Sequence, residues 1–461
     1  MRPQNRHRTG LRTLVATALA TGLTAALAVT WYAVPRGDGG DRGDGLTLAA
    51  GSNPATPGNF TGYGFDQCLT PTQAKMDAWL ESSPFLGVGI YISGNSRTCR
   101  SQPNLTPTWV TTQLAQGWKL LPITLGPQST CVGRYPKYGP TIDPTISNST
   151  TNNRAEARTQ GTAEADTAVG VATALGIVPG STLYYDLEGW SDYTNATCRE
   201  SALAFLTAWT NRVKARGYLS GVYSSAGSGM RILDNARKAG RTDVALPDQI
   251  WIARWDGAAN TSTSYISEDG WQPHKRIKQY QGGHNETWGG VTINIDRNWL
   301  DVGRGSYAAP ETHCSGVNLD YRSYPRLVPG TSRPEVRALK CLLREQGYSG
   351  IKLTQYYGRG LITAITAWQK AHGFAASSTW KGPHWRAILA QGATPVLKVG
   401  SAGPSVRRVQ RALNAGTFGL PVTGLMDPAT RAALTKWQSA RGITANAIVT
   451  ADDWALLQRG R

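Results

Sequence analysis

Histidine is scarce in this chain, six in 461 residues, and only His274 and His284 fall between residues 60 and 303. Neither stands in an H-x-x-x-H or H-E-x-x-H arrangement, and a catalytic zinc usually takes three His or carboxylate ligands. Zinc-dependent peptidase or amidase chemistry is therefore excluded there. His313, His372 and His384 are expected as lone surface side chains. No C-x-x-C pair and no G-x-S-x-G elbow occurs either, which removes a zinc ribbon and a serine-hydrolase nucleophile. Nothing in the chain calls for a metal or a cofactor. Acids are also thin, 30 Asp+Glu against 48 Lys+Arg, for a net charge of +18. The deficit is local: residues 60–303 carry 21 basic and 20 acidic side chains, whereas residues 304–461 carry 21 and 7. Such a cationic tail favours polyanions. It holds no nucleic-acid-binding motif, so an anionic extracellular polymer is the simpler partner.

The long apolar run lies at one end. Arg2, Arg6, Arg8 and Arg12 precede Leu14–Val34, the order of a basic and then an apolar region in an export signal. Ala26-Leu-Ala28 offers a cleavage site, yet about 20 apolar residues also suffice for a membrane anchor. Residues 1–34 are thus read as signal peptide or anchor. Residues 35–59, rich in Gly, Asp, Pro and Ser, are read as a flexible tether. Export suits the six cysteines, an even number. Cys314 and Cys341 pair by domain; Cys68–Cys99 with Cys131–Cys198 is favoured among the middle four, where other pairings stay open.

Residues 60–303 alternate short β-rich runs with helical stretches. The strands expected are Gly62–Cys68, Phe85–Ile92, Lys119–Leu125, Thr182–Glu188, Ser220–Ser225, Gln249–Asp256, Arg276–Gln281 and Val291–Asp296. Helical patterns cover Pro71–Leu80, Thr106–Gln116, Arg154–Leu175 and Cys198–Arg216, and loops join the last three strands. Eight such strands predict an α/β fold, a TIM-like (β/α) barrel with degenerate late helices. Catalytic groups in such barrels sit at the C-terminal strand ends. The run Thr182-Leu-Tyr-Tyr-Asp-Leu-Glu188 places Asp186 and Glu188 on one strand face, about 6.6 Å apart along the backbone. Two carboxyls that close oppose each other's ionisation, so one can hold a proton as general acid while the other stays charged, as glycoside hydrolysis requires. Asp66 and Asp296 are expected at the ends of strands one and eight, and Tyr91, Tyr223, Trp255 and Tyr280 at comparable ends, where rings could stack on sugar faces.

Residues 304–313 read as a second linker, followed by an internal duplication. Pro325-Arg-Leu-Val-Pro-Gly330 and Val336–Leu343 recur as Pro395-Val-Leu-Lys-Val-Gly400 and Val406–Leu413 at an offset of 70; Trp368-Gln369, Gly373 and Trp385 recur as Trp437-Gln438, Gly442 and Trp454 at 69. Residues 314–392 and 393–461 are each expected to form a small all-α three-helix module. Val336, Leu339, Leu342 and Leu343 make a buried helix face, and the two Trp-Gln tryptophans belong to the core.

Gly64-Phe-Asp66, Tyr185-Asp-Leu-Glu188, Ile250–Trp255, Gln279-Tyr280 and Ile295-Asp296 together resemble, in order and spacing, the lysozyme-like muramidases of glycoside hydrolase family 25. Residues 60–303 as a whole look closer to the glycoside-hydrolase-like domain-of-unknown-function family 1906. The repeats resemble the peptidoglycan-binding domain 1 family, best in the second copy, at Leu397, Gly400, Ser401, Val406, Val409, Gln410, Thr430 and Trp437-Gln438; in the first, Lys340 and Leu361 replace Gln and Thr. The resemblance implies an exported, wall-associated muramidase acting on peptidoglycan as a monomer. Glu188 would be the general acid, Asp186 would assist at the N-acetyl group or a water, and Asp66 and Asp296 would stabilise positive charge. The alternative it leaves is a wall glycan-binding protein with a silent barrel.

Overall fold

The computed structural model describes residues 52–461; the expected signal or anchor and the tether up to residue 51 lie outside the described residues. Eight strands, β1 (Phe60–Asp66), β2 (Gly87–Ser93), β3 (Lys119–Thr124), β4 (Thr182–Leu187), β5 (Leu219–Ser225), β6 (Gln249–Ala253), β7 (Lys275–Trp288) and β8 (Val291–Val302), close into a barrel in chain order. Helices α1 (Gln73–Ser82), α2 (Pro107–Ala115), α3 (Thr151–Ala174), α4 (Ala196–Ala215) and α5 (Arg231–Lys238) lie between them. Side chains before the helices fix where they start: Thr72 accepts from Lys75 N, Thr106 from Trp109 N with Pro107 at the first turn, and Asn195 from Cys198 N. β4 is buried along its whole length, as befits a barrel strand covered by helices outside and side chains inside.

Two expectations about strands need correcting. β6 stops at Ala253, so Trp255 stands on the following loop. β8 runs on to Val302 and is antiparallel to both β7 and β1. The cause is the Gly289-Gly290 turn between Trp288 and Val291, both glycines at positive φ (56° and 75°). A two-residue hairpin of that hand leaves no room for a crossover helix, and the next strand must return beside the last. Asp296 is thus mid-strand, and its register opposite Asp66 brings it to the rim. Helix α5 has no counterpart in the periodicity.

The tether is shorter than expected. Thr56 is buried: its hydroxyl donates to Leu120 O (2.8 Å) and its carbonyl accepts from Thr182 N (2.8 Å), pinning this segment under the barrel. The 304–313 linker is also fixed, with Arg407 donating to Ala309 O (2.7 Å) and Arg411 to Glu311 (2.7 Å).

The two modules are α6 (Pro334–Glu345), α7 (Arg359–Ala371) and α8 (Gly382–Ala390), then α9 (Pro404–Asn414), α10 (Pro428–Ser439) and α11 (Ala451–Gln458). Equivalent contacts repeat in both: Trp385 Nε1 donates to Pro325 O and Trp454 Nε1 to Pro395 O, each at 2.8 Å. Lys340 and Gln410 likewise reach equivalent carbonyls, Tyr356 O and Leu425 O, so that substitution alters an internal strut. His384 is not a surface side chain: it is buried and accepts from Lys381 N (3.2 Å), the place Asp453 takes for Thr450 N in the second copy. The second module docks on the barrel's floor. Lys398 is buried there, its ammonium donating to Trp79 O, Ser83 O and Phe85 O at 3.2, 2.9 and 3.1 Å.

Candidate active site

The C-terminal rim of the parallel strands carries an open cleft of two lobes that share Glu188. One, of about 440 Å³, has Asp66, Asp296 and Tyr91 among its walls; the other, of about 390 Å³, has Tyr223, Trp255 and Tyr265. The strand-end rule and the β8 hairpin together bring Asp66, Asp186, Glu188 and Asp296 to this one rim.

Asp66 points across the barrel, so close to β2 that a β-carbon on Gly89 would come within 2.5 Å of its own. Asn298 Nδ2 donates to Asp66 Oδ2 (2.7 Å), and the Gln279 amide donates to Asp66 Oδ2 (3.1 Å) and to Asp296 Oδ2 (3.2 Å). Burial, then the Asp296 charge, push the Asp66 carboxyl up to about 8. Burial, with the Glu188 charge adding, raises Asp296 to about 6. At neutral pH Asp66 therefore keeps its proton beside the Asp296 carboxylate, the two bridged by the Gln279 amide.

Asp186 is 2% exposed and Glu188 keeps 26% of its side chain open, because the strand ends between them. Tyr91 donates to Asp186 Oδ2 (3.2 Å), while Oδ1, also buried, has no protein partner. Burial first and the Glu188 charge second raise the Asp186 pKa well above the usual carboxylate range. Glu188 faces the cleft and pairs with Arg134 at 2.5 Å, whose own side chain is 60% exposed. That mate is cationic but solvated, and Glu188 is not buried beneath it.

Tyr91, Tyr223 and Trp255 all line the cleft. Tyr223 and Trp255 both donate to Gln279 Oε1, at 3.0 and 2.9 Å. The Trp255 ring, 65% exposed, lies flat on Gly282, where a β-carbon would come within 2.4 Å of the indole. Tyr280 is the exception. It follows Gln279 on β7 and so points to the opposite face, buried beside Arg297 and Tyr63 outside the barrel. Its proposed place in the cleft is withdrawn.

Several site residues carried no motif. Gln128 holds the Asp-Leu-Glu turn from both sides, donating to Asp186 O (2.8 Å) and accepting from Glu188 N (2.7 Å). Asn298 is held in turn by Trp251 Nε1 (2.7 Å). Gln128 and Arg134 lie on the irregular stretch 125–150, where no periodicity marks them. The disulfides are Cys68–Cys99, Cys131–Cys198 and Cys314–Cys341; the first two fasten loops that border the cleft.

Residues 77–300 match the family described as "Rv2525c-like, glycoside hydrolase-like domain", a match that begins inside α1 and leaves Asp66 just ahead of it. Residues 332–377 and 402–457 match the family described as "Putative peptidoglycan binding domain". No curated protein matches the chain. Among solved structures, an uncharacterized B. stearothermophilus protein is similar over 52% of this chain and 95% of its own, at 18% identity and a TM-score of 0.33. The Mycobacterium tuberculosis Tat-secreted protein Rv2525c, in complex with L-tartrate, is similar over 52% and 95%, at 15% identity and 0.35. The modular autolysin LytC from Streptococcus pneumoniae is similar over 52% and 46%, at 12% identity and 0.31. The chain thus joins a domain of the Rv2525c-like, glycoside hydrolase-like family to two repeats of the peptidoglycan binding family, the composition of a protein directed at cell-wall glycan.

Proposed function

We propose that the protein is an exported glycoside hydrolase that cuts the β-1,4 glycan strand of peptidoglycan, held on the wall by its C-terminal repeats and by attraction between its basic modules and anionic wall polymers. The observation that carries this reading is the meeting of four carboxyl groups at one rim, with Asp66 raised to about 8 and Asp186 held well above the usual carboxylate range by burial. Glu188, the exposed member of the Asp186–Glu188 pair, gives a proton to the glycosidic oxygen once Arg134 has moved off. The unpartnered Asp186 Oδ1 is free to meet the N-acetyl group or a water. Asp296, as carboxylate, faces the positive charge that develops on the sugar ring, with Gln279, which bridges it to Asp66, fixing its position. Tyr91, Tyr223 and Trp255 offer ring faces and hydroxyl or indole edges for the sugars.

One observation favours a second reading, a wall protein that binds glycan without cleaving it: the Arg134 ion pair occupies Glu188 in the resting site. Mass spectrometry of purified peptidoglycan after incubation separates the two. New reducing MurNAc ends are expected, and Glu188→Gln should lower their rate by about 10²–10⁴, the usual value of general acid assistance. Binding to the wall with no new ends supports the second reading; a Glu188→Gln variant as fast as the parent removes Glu188 from the mechanism.

A further inference from the structure

The wall facing the acids has the opposite sign. Arg97, on the loop after β2, and Arg134 and Lys137, on the loop after β3, line the same lobe as Asp66, Glu188 and Asp296. These loops are braced. Arg97 donates to Gly94 O (2.7 Å) and Tyr91 O (3.0 Å), Lys137 donates to Thr98 Oγ1 (2.6 Å), and Tyr138 donates to Arg97 O (3.2 Å). Cys99 and Cys131, near Arg97 and Arg134, are each tied to another element by a disulfide.

The charge inside the lobe does not balance. Arg134 has Glu188 as its partner; Arg97 and Lys137 have no carboxylate within ion-pair distance among the described residues. Asp66, in the same lobe, is neutral at pH 7, and Glu164, the carboxyl whose charge acts on Arg97, is itself raised by burial to about 7. A neutral amino sugar asks for hydrogen bonds and ring faces, not for three cations on one wall. An oxyanion on the sugar asks for such a wall.

We propose that Arg97, Arg134 and Lys137 form a subsite for a carboxylate carried by the glycan, and that this carboxylate draws Arg134 away from Glu188 as it binds. The inference rests on the glycan-directed reading and deepens it: the anion frees the side chain that must give up a proton, so a neutral glycan would leave the site latched. Two sources of the carboxylate fit the chemistry, the unsubstituted lactyl group of muramic acid and the acidic positions of a stem peptide.

The test is calorimetry on the full chain carrying Glu188→Gln, which blocks turnover. A peptidoglycan tetrasaccharide with free lactyl carboxylates should bind about tenfold more tightly than neutral chitotetraose at low salt, the value of two partly solvated charge contacts. The preference should shrink as salt rises. Adding Arg134→Gln or Lys137→Gln should lower the ratio toward one. A tetrasaccharide whose lactyl groups are amidated by stem peptides names the source: retained preference assigns the stem, lost preference assigns the lactyl group. D-lactate, which is not turned over, should bind Glu188→Gln several-fold, about three- to tenfold, more tightly than the parent, because Arg134 has already lost its partner. Equal binding of charged and neutral sugars overturns the subsite, and equal D-lactate affinity overturns the exchange on Arg134. Charge preference in a parent that releases no reducing ends keeps the subsite and removes the hydrolase; cleavage without preference does the reverse.

Discussion

Replacing Asp66 by asparagine should stabilise the barrel, and by an amount that depends on pH in a defined direction. Asp66 is held at about 8 against 3.8 for a free side chain, so the folded protein binds this proton more tightly than the unfolded chain does. Its contribution to stability is fully present below about pH 4 and is lost as pH rises through about 8. A shift of about four units at 1.36 kcal/mol each gives a penalty of about 5–6 kcal/mol at pH 8 and above. Asparagine keeps an oxygen for Asn298 and Gln279 and offers N–H toward Asp296, without a charge to bury; allowing about 1 kcal/mol for imperfect hydrogen bonds leaves a net gain of about 4 kcal/mol at pH 8 and none at pH 4. Denaturant midpoints of parent and variant, taken between pH 4 and 9, read this directly. The reasoning fails if the variant is no more stable than the parent at pH 8, or if the two keep parallel pH slopes. A gain in stability with a loss of activity is the pattern expected where a strained site is built for chemistry.

Turnover of peptidoglycan should rise as Asp296 ionises through about pH 6 and fall as Asp66 ionises through about 8, giving an optimum near 7; Asp66→Asn should flatten the alkaline limb in whatever activity it retains, and a limb left unchanged would remove Asp66 from the profile. Lys398→Met fills the same volume but strands two carbonyl oxygens, Ser83 O and Phe85 O, while Trp79 O keeps its bonds from Ser83, so about 2–4 kcal/mol of the contact between the barrel and the second module should go, seen as a separate calorimetric transition and faster proteolysis near residues 304–313; a single unchanged transition refutes it. Removing Cys131 and Cys198 together should cost about 2–4 kcal/mol by freeing a 67-residue loop, and activity should fall further than stability because that loop carries Arg134, Asp186 and Glu188; equal loss of both would mean the disulfide serves the fold alone.

The parts of the site that could be read in the sequence are those governed by a local period. Strand alternation, a rule that needs no tertiary knowledge, points to Asp186 and Glu188 as neighbours at the end of β4, although the strand stops at Leu187 and leaves Glu188 just past it. The same rule speaks against Tyr280: once Gln279 turns inward, its neighbour must turn outward. The direction of β8 also had a local sign, since a Gly-Gly pair between two strand-like runs is a hairpin signal rather than a crossover. Other features had none. Gln128 and Arg134 sit on an irregular stretch whose path is set by a disulfide and by contacts made only after the barrel closes. Thr56 falls in a segment of tether-like composition and is fixed by partners more than 60 residues away. Lys398 is a lysine in a surface-type turn until the barrel covers it.

The two repeats show how one fold can be used twice for different ends. Their internal struts coincide, down to the indole donating to the proline carbonyl, so the difference lies in what each presents outward. Lys398 in the second copy corresponds to Val328 in the first by the offset of 70. At the second copy that turn is buried, with the ammonium seated on the carbonyl end of α1 and Gly400 against the Phe60 ring, a contact in which a β-carbon would clash at 2.2 Å. At the first, Val328 is 38% exposed, and Tyr356, bridged to Ser332, is 57% exposed. A valine could not satisfy those carbonyls, and a lysine exposed at position 328 would have nothing to hold. Duplication therefore accounts for the shared core, and the lysine of this turn is one of the differences between the copy that fastens the barrel and the copy whose equivalent turn carries an exposed valine.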